Sequence, residues 1–488
     1  MSEFDMTDYV STLSVDLSLL GPELVLLVAA SLILIFIPFR KMNYLAPVIA
    51  VVGFIVSFYL AMGQWSEHSS GFAGLLTCDS FGVMFKLIFL LASFLSLLIA
   101  HRYFSVKGIN RPEFYALLMF STMGMMVMAN TVDLVVMFLG LEIMSIPLYV
   151  MAAFNRRSLE SNEAGIKYFI MGAFASAFLM MGIAFVYGAA ETTDFRRIVA
   201  DFSYIVANYK VYLYAGAALI LVGFGFKIAA VPFHTWVPDV YQGAPTPVTA
   251  FFSVAPKAAG FAVMLRIFLY GFEGMEILSD VFWVLAVLTM TVGNVLALRQ
   301  DNVKRMLAYS SISHAGYIMI SLVVGGPEAI SSAIFYLVAY TFFNLGAFAV
   351  ITILETRSGC KSDFVELAGI SKANPYLAAV LALFMFALSG FPPTVGFFGK
   401  FYIFSAAVKS GFIWLVVIGV MNSFVSVYYY LRVIKTSYMD AHEGQPAVVK
   451  MVPSIFLVLV ITALGTLGLG FFPQKLLELS QSAIFAFL

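Results

Sequence analysis

Four charged side chains stand in or beside apolar stretches long enough to cross a membrane. They are Glu142 in FLGLEIMSIPLYV, Lys227 in GFGFKIAAVPF, Lys257 in FFSVAPKAAGF and Lys400 in GFPPTVGFFGKF. An unpaired charge at the centre of a bilayer costs at least about 3 kcal/mol, so such residues face the interior of a helical bundle and are functional by default. These four side chains are therefore candidates for chemistry inside a membrane.

Lysine suits the transfer of protons through an apolar interior. Burial and a neighbouring positive charge both lower the pKa of a lysine from about 10.4, whereas an adjacent carboxylate favours the charged form. We predict that Glu142 pairs with Lys227, and that withdrawal of the glutamate makes this lysine release its proton toward Lys257 and Lys400. A purely structural Glu142–Lys227 pair is the alternative, although apolar packing could replace such a pair.

Two histidines could bridge these lysines. His314 lies among hydroxyls in YSSISHAGYIM, and His234 follows a run of residues that interrupts a span. Imidazole titrates near neutrality and carries protons readily, but a single buried histidine can equally be structural, and both interpretations stay open. The remaining histidines fall in predicted loops: His68, His101 and His442. No pair of membrane histidines indicates haem, and no GxGxxG follows a strand to indicate a nicotinamide or flavin site.

Three further cations fall within spans but have simpler explanations. Lys86 and Lys167 lie within one or two turns of their span ends, so we expect them to extend to the membrane interface. Arg266 stays charged at any accessible pH, so we expect it to be a structural ion-pair partner rather than a proton carrier.

The composition is that of an all-α polytopic membrane protein. Of 488 residues 62% are hydrophobic and 11% are charged, the mean hydropathy is +0.97, and the net charge is zero with no basic run, which argues against nucleic acid as a partner. Apolar runs of about 20 residues can each cross the bilayer as a helix. Fourteen spans are predicted, near residues 21–38, 44–63, 80–100, 114–130, 132–153, 165–189, 211–231, 246–270, 277–298, 304–324, 329–354, 376–407, 411–434 and 452–472.

Basic residues gather in alternate loops, which predicts the orientation. Sixteen fall on one side: Arg40, Lys41, Arg102, Lys107, Arg111, Arg156, Arg157, Arg299, Lys304, Arg305, Arg357, Lys361, Lys372, Arg432, Lys435 and Lys450. Five fall on the other: Arg196, Arg197, Lys210, Lys409 and Lys475. Because basic loops stay in the cytoplasm, both termini are expected on the outer side.

The orientation permits an inverted duplication, because spans four to eight and nine to thirteen begin on opposite sides. The predicted segments are 1–110 with three spans, 111–272 and 273–440 with the two five-helix repeats, and 441–488 with the last span. A weak sequence similarity between residues 131–151 and 299–319 aligns Asp133 with Asp301, Ser145 with Ser313 and Tyr149 with Tyr317. Spans seven and twelve are interrupted by VPFHTWVPDVYQGAPTP and SGFPPTVGFFGK, as expected for helices broken at a midplane ion site. Lys227 and Lys400 stand beside these breaks.

Three stretches resemble a known family: GFGFKIAAVPFHTWVPDVYQGAPTPVTAFFSVAPKAAGFAVMLR, DNVKRMLAYSSISHAGYIM and SGFPPTVGFFGKFYIF. They are similar to the antiporter-like subunits of respiratory complex I, the proton-pumping NADH:quinone oxidoreductase. The resemblance covers nearly the whole chain apart from its first residues. The length, the fourteen spans and the lysine of span twelve are most similar to the subunit N branch.

The resemblance implies a proton-translocating subunit of the bacterial inner membrane, driven by quinone reduction elsewhere in the complex. It implies that Glu142 and Lys227 are the glutamate and lysine of spans five and seven, Lys257 the lysine of the central axis, and Lys400 the lysine that faces the exit. Some relatives carry a glutamate in place of Lys400. Implied partners are other membrane and peripheral subunits of the complex, adjacent antiporter-like subunits, lipid and protons.

No cofactor is expected in this chain, whereas FMN, iron–sulfur clusters and quinone are expected in other subunits. The only cysteines, Cys78 and Cys360, are too few to hold an iron–sulfur cluster. Two other functions stay open. A subunit of a multi-component sodium/proton antiporter would show sodium-dependent exchange without NADH oxidation, and a purely structural scaffold would tolerate Glu142→Gln and Lys400→Ala without loss of activity.

Overall fold

The chain folds almost entirely into helices. The computed structural model describes residues 17–65, 67–272, 274–356, 362–440 and 451–484. The α-helices in chain order are α1 Gly21–Phe36, α2 Ala46–Gly63, α3 Ser80–Lys107, α4 Glu113–Ala129, α5 Leu134–Ala152, α6 Leu159–Ala190, α7 Phe195–Ala200, α8 Phe202–Ile228, α9 Trp236–Gly243, α10 Thr246–Arg266, α11 Ile277–Ala297, α12 Val303–Val324, α13 Gly326–Glu355, α14 Ile370–Ala373, α15 Pro375–Ser389, α16 Val395–Lys409, α17 Ile413–Tyr438, α18 Pro453–Phe471 and α19 Pro473–Ser482.

Within the described ranges, eleven helical segments are long and apolar enough to cross a membrane, and α1, α4 and α15 are shorter apolar helices. Each of the fourteen predicted spans overlaps one of these helices, and the span predicted at 376–407 also overlaps α16. The prediction of an all-helical membrane protein is therefore confirmed, while the count of fourteen spans stays a prediction. The predicted segment boundaries at 110 and 272 fall between helices, and residue 441 lies outside the described residues.

The centre of the bundle is built by α10, α12 and α13. In the most apolar window of Thr246–Gly271, which contains α10, every residue is buried, and the corresponding share is 94% for α12 and 89% for α13. By contrast only a third of the α6 or α17 window is buried. A helix that is buried all round carries its polar side chains into the protein interior rather than toward lipid.

Both predicted helix breaks are present. Helix α8 ends at Ile228, and Ala229 then adopts a left-handed conformation with φ +63° before the chain turns into α9. Helix α15 ends at Ser389, and Gly390 with φ +82° precedes the Pro392–Pro393 turn and α16. Prolines that cannot donate a backbone hydrogen bond explain why neither helix continues.

Gly390 is required at the second break by its conformation and by its neighbour. A Cβ atom at this position would lie 3.0 Å from Cδ of Lys400 and 3.3 Å from its Nζ. Gly390→Ala is therefore expected to lower the free energy of unfolding by about 1–2 kcal/mol, the cost of a side chain in the left-handed region. The thermal unfolding midpoint in detergent measures this. Gly468→Ala in α18, where a Cβ would meet nothing within 4 Å, is the control. An unchanged midpoint for Gly390→Ala would contradict the prediction.

Two loops at different points of the chain share one hydrogen-bonding pattern. The backbone N–H of Leu134 donates to the Thr193 carbonyl, and the N–H of Val303 donates to the Ser362 carbonyl, 169 positions later in both cases. Two further bonds correspond in the same way, Phe195 N–H to Val132 O and Phe364 N–H to Asp301 O. This pattern supports the predicted duplication, which remains a prediction.

The same pattern corrects the predicted alignment of the two halves. Asp133, which caps α5 through the N–H groups of Val135 and Val136, corresponds to Asn302, which caps α12, and not to Asp301. Ser145 then corresponds to His314 rather than to Ser313. A slip of one residue turns a helix by about 100°, and scattered identities between apolar helices are too weak to determine the register.

A short hairpin lies between α2 and α3. Strand β1 Ser69–Gly71 pairs antiparallel with β2 Leu76–Cys78, with Ser69 opposite Cys78. The Cys78 thiol is buried against the Gln64 carbonyl at 3.8 Å, and burial raises its pKa to about 11. The thiol is therefore protonated at neutral pH and a poor nucleophile or metal ligand. The second cysteine, Cys360, lies outside the described residues.

Candidate functional site

Lys227, the penultimate residue of α8, is enclosed by α5 and aromatic rings. The residue is 3% exposed. Its Nζ donates to Ser145 Oγ at 2.7 Å and to Tyr149 Oη at 3.2 Å, and it lies 5.3 Å from the centre of the Tyr149 ring and 5.9 Å from that of Tyr168. Neutral oxygen acceptors and ring faces thus surround an amine that can carry a charge.

The predicted Glu142–Lys227 ion pair is not formed in this structure. Among the described residues, no carboxylate oxygen lies within 4 Å of Lys227 Nζ. Glu142 is half-buried and accepts a hydrogen bond of 2.5 Å from Ser176 Oγ of α6. The lysine reaches Ser145 instead, which lies one turn after Glu142 on α5. Glu142 and Ser145 are three residues apart on α5, so they lie on one face of that helix.

Lys257 lies at the centre of the bundle, on the fully buried helix α10. The residue is 4% exposed, and its Nζ donates to the Ser311 carbonyl at 2.9 Å and to Ser311 Oγ at 2.8 Å. No carboxylate oxygen of the described chain lies within 4 Å of it. Lys257 is therefore a buried amine that is joined to α12 by hydrogen bonds alone.

His314 follows Ser311 by one turn of α12. Its Nδ1 lies 2.7 Å from Tyr336 Oη and its Nε2 lies 3.0 Å from Tyr430 Oη. Tyr430 Oη also lies 2.5 Å from Ser310 Oγ. Both ring nitrogens therefore have a hydroxyl partner, an arrangement in which the proton can leave from one nitrogen and arrive at the other.

Lys400 lies in α16, beyond the second break. It is 5% exposed, and its Nζ donates to the Ser389 carbonyl at 2.9 Å and to Ser423 Oγ at 2.8 Å. The same atom lies 4.9 Å from the centre of the Tyr317 ring, which belongs to α12. Lys400 is also held without a carboxylate oxygen within 4 Å in the part of the chain that is described.

Helix α12 joins three of the predicted site residues. Ser311, His314 and Tyr317 follow one another at a spacing of three residues and meet Lys257, the two tyrosines and Lys400 in turn. Residues three apart lie on one face of a helix, so α12 presents a continuous polar face. Sequence reasoning identified the histidine but missed Ser311, Tyr317, Tyr336 and Tyr430. Helical spacing from His314 is the signal that could have found the first two.

His234 does not join this group. It is half-buried in the turn between α8 and α9, and its Nδ1 is buried without a hydrogen-bond partner among the described residues. No hydrogen bond of the described structure connects its side chain to Lys227 or Lys257. In the described structure, therefore, no direct contact with Lys227 or Lys257 supports a relay role for His234.

The cations expected at span ends differ from one another. Lys86 does not extend to the interface. It is fully buried, and its Nζ lies 2.9 Å from Glu23 Oε1 and 3.0 Å from Gln64 Oε1. The prediction was wrong because it did not recognise Glu23 of α1 as the partner of this lysine. Lys167 is 41% exposed and contacts Asp239 at 2.7 Å, consistent with an interfacial position. Arg266 forms the expected structural ion pair, with two bonds to Asp79 of 2.8 and 2.9 Å.

Lys304 was counted as a loop residue but is buried in the first turn of α12. It lies 3.7 Å from Glu355, the last residue of α13, and donates to the Ala244 carbonyl at 2.9 Å. Lys304 is 5% exposed and Glu355 6%. The sequence prediction failed because a lysine at a helix start resembles a loop lysine unless its acidic partner, about fifty residues away, is known.

Comparisons with known proteins identify the family of this chain. Residues 131–426 match the family described as NADH:quinone oxidoreductase/Mrp antiporter, TM. NADH-quinone oxidoreductase subunit N of Trichlorobacter lovleyi is 46% identical over 475 residues, which are 96% of this chain and 97% of that protein.

Two solved structures share the fold along nearly the whole chain. One chain of respiratory complex I from Thermus thermophilus with bound aureothin superposes with a TM-score of 0.79 at 29% identity, covering 94% of this chain and 98% of that one. One chain of the membrane-bound sulfane sulfur reductase, an archaeal respiratory membrane complex, superposes with a TM-score of 0.88 at 26% identity, covering 97% and 98%.

Proposed function

Because the chain belongs to the NADH:quinone oxidoreductase/Mrp antiporter transmembrane family, we propose that it is subunit N of a proton-translocating NADH:quinone oxidoreductase. It moves protons through buried Lys227, Lys257, His314 and Lys400 while quinone is reduced elsewhere in the complex. It carries out no redox chemistry itself. The observation that carries the proposal is the polar face of α12, which meets both Lys257 and Lys400 and holds His314 between them.

The relay works by changing the surroundings of one amine at a time. Burial without a carboxylate partner favours the neutral form of an amine, and approach of a carboxylate favours the charged form. Glu142 is half-buried and lies one turn from Ser145, which accepts a hydrogen bond from Lys227, so movement of the Glu142 side chain from Ser176 toward α8 would bring the two charges together. Closing and opening that pair would load and discharge Lys227, and His314 would carry the proton between Lys257 and Lys400.

The free energy available from a change in the pKa of one amine is comparable to the cost of moving a proton against the membrane potential. Moving one proton against 100 mV costs about 2.3 kcal/mol. A change of about two pKa units between the paired and unpaired states of an amine corresponds to roughly 2.7 kcal/mol. A single switching amine can therefore move a proton against a membrane potential of this order.

The assembly and location are part of the proposal. We place the chain in a bacterial inner membrane with both termini on the outer side, beside other membrane subunits and with peripheral subunits that hold FMN and iron–sulfur clusters. Without the buried Lys304, fifteen basic residues fall in loops of one side and five in loops of the other, which supports this orientation. His234 keeps a place in the proposal only as a residue of the first break.

The test replaces Lys257 by methionine in the intact complex. Lys257→Met keeps an unbranched side chain of similar length but cannot carry a proton, so NADH-driven proton uptake and quinone reduction are expected to fall together by about tenfold or more. The measurement uses the complex reconstituted in vesicles. Lys409→Met is the matched control, since Lys409 forms an exposed pair with Glu328 and touches none of the relay residues.

Two outcomes would overturn the proposal. Full proton uptake with Lys257→Met would favour the structural scaffold. Purification of the chain in an assembly without NADH oxidation, but with sodium-dependent proton exchange, would favour the antiporter function.

A further inference from the structure

We propose that protons reach Lys257 through the seam between α10 and α13, and that Glu355 loads them from a polar cavity at the end of this seam. The inference rests on the proposed function, because it supplies the relay that passes through Lys257. The seam is defined by Thr246, Ser253 and Lys257 on α10 and by Glu355, Asn344 and Tyr340 on α13.

The cavity lies where α10 and α12 begin and α13 ends. It has a volume of about 340 Å³. Exposed residues, among them Lys107, Glu160 and Gln242, form its mouth, and buried Lys304 and Glu355 line its inner part. The other titratable residues that line it are Tyr103 and Asp363. Water that enters this cavity therefore reaches a buried carboxylate.

Glu355 is held by two hydroxyl donors and by one long contact with a lysine. Thr246 donates a hydroxyl hydrogen bond to one carboxylate oxygen, and Ser362 donates to the other. The ion pair with Lys304 is a single contact of 3.7 Å, unlike the two short bonds that join Arg266 to Asp79. Since Lys304 also donates to the Ala244 carbonyl, its charge is shared between two acceptors.

The polar residues of the two helices face each other along the seam. Thr246, Ser253 and Lys257 are spaced by seven and four residues, so they lie on one face of α10. Glu355 and Asn344 are eleven residues apart on α13, which is close to three full turns. Thr246 contacts Glu355, and Asn344 Nδ2 donates to Ser253 Oγ at 2.6 Å. The seam thus runs from the cavity toward Lys257 along both helices.

Two buried polar atoms beside this path have no hydrogen-bond partner in the described structure. They are Asn344 Oδ1 and Tyr340 Oη, one helical turn apart on α13. Buried polar atoms of this kind are normally satisfied by ordered water. Water bound at these two atoms would connect Ser253 with Lys257.

One stretch of the seam carries a single hydroxyl on α10, that of Thr249, which donates to the Tyr241 carbonyl at 2.9 Å. Thr246 and Ser253 are separated by seven residues, or roughly 10 Å of helix, and Ala250 lies between them on the same face. Protons cross this stretch on transient water, so it acts as the gate of the path. In each passage the Glu355 carboxylate takes a proton from cavity water and returns it to the water of the seam, and the neutral Lys257 amine accepts it to become an ammonium ion.

The alternative role for Glu355 is that of a structural tie between α12 and α13. Glu355→Gln separates the two roles through the pH dependence of quinone reduction, measured in the intact complex with an uncoupler present. Without a loading carboxylate, uptake depends on the free proton concentration. The rate of quinone reduction by the Glu355→Gln complex is therefore expected to fall further below that of the unmodified complex as the pH rises from about 6 to about 9, until the difference is about tenfold or more. A lost structural tie would lower the rate by the same factor at every pH.

Three variants complete the test. Glu355→Asp is expected to restore most of the rate at high pH, because it returns a carboxylate to the cavity. Ser253→Ala interrupts the seam without touching the ion pair and is expected to show the same pH-dependent deficit. Glu328→Gln, at the exposed opposite end of α13, is the matched control and is expected to behave like the unmodified complex at every pH.

The outcomes are distinct. A deficit of Glu355→Gln that is equal at every pH, or a normal rate for Ser253→Ala at every pH, overturns the seam. If these variants are normal while Lys257→Met is inactive, the relay stands and protons arrive by another path. If Lys257→Met is fully active, the proposed function itself fails. Should Glu355→Gln prevent assembly of the complex, Ser253→Ala alone decides the question.

Discussion

Replacement of Lys227 by alanine is expected to reduce quinone reduction and proton pumping together, by about tenfold or more, in a complex that still assembles. The side chain is enclosed and makes its polar contacts with Ser145 and Tyr149. Removing it deletes the amine of the first half of the relay and leaves two hydroxyl groups that can bond to water. The loss should therefore fall on proton movement rather than on folding.

The measurement is NADH-driven proton uptake beside quinone reduction in reconstituted vesicles. Loss of both indicates an obligatory relay, since electrons cannot flow when protons do not move. Unchanged reduction with fewer protons per electron would mean that this channel can be uncoupled from the redox reaction. Normal pumping would contradict the relay through Lys227. Lys210→Ala, at an exposed position in the first half of α8, is the matched control.

Loss of the buried Asp79–Arg266 pair is expected to have the largest effect on stability. Arg266 is 4% exposed and Asp79 6%, and two hydrogen bonds join them. Asp79→Asn leaves the guanidinium without its counter-charge, and breaking a buried pair from one side costs about 3–5 kcal/mol. Asparagine can still accept the hydrogen bond from the Gly82 N–H that caps α3, so the change tests the charge rather than the cap.

Thermal unfolding of the detergent-solubilised chain or complex measures this effect. The exposed pair of Lys409 and Glu328 provides the comparison, because removal of a surface pair costs less than about 1 kcal/mol. The double variant Asp79→Asn with Arg266→Met should recover part of the loss, since no uncompensated charge then remains. Equal unfolding midpoints for Asp79→Asn and the unmodified chain would show that the pair contributes nothing to stability.

The helical fold class and the positions of the apolar helices could be predicted from the sequence because their causes are local. A run of about 20 apolar residues forms a membrane helix wherever it occurs, and the backbone polar groups leave no alternative. The breaks at Ala229 and Gly390 were predictable for the same reason, since prolines beside them cannot continue a helix. The lysines could be selected as candidate functional residues because a charged side chain within an apolar run has a high free-energy cost in the membrane.

The partners of those charges were decided only by the tertiary structure. Glu142 was expected beside Lys227 but contacts Ser176, and Lys86 was expected at the interface but pairs with Glu23. Each outcome depends on the rotation and height of one helix against another that is distant in the chain. A turn of about 100° per residue means that a small change in either brings a different side chain into contact.

The sequence by itself therefore determined that this is an all-helical membrane protein with broken helices, lysines within its spans and membership of the NADH:quinone oxidoreductase/Mrp antiporter family. Only the tertiary structure placed Ser311, His314 and Tyr317 on one face of α12 between Lys257 and Lys400. Only it brought Lys304 to Glu355 at the base of a cavity. Local preferences suffice to form each helix, whereas the pairing of polar groups depends on how buried helices pack together, which no single stretch of sequence encodes.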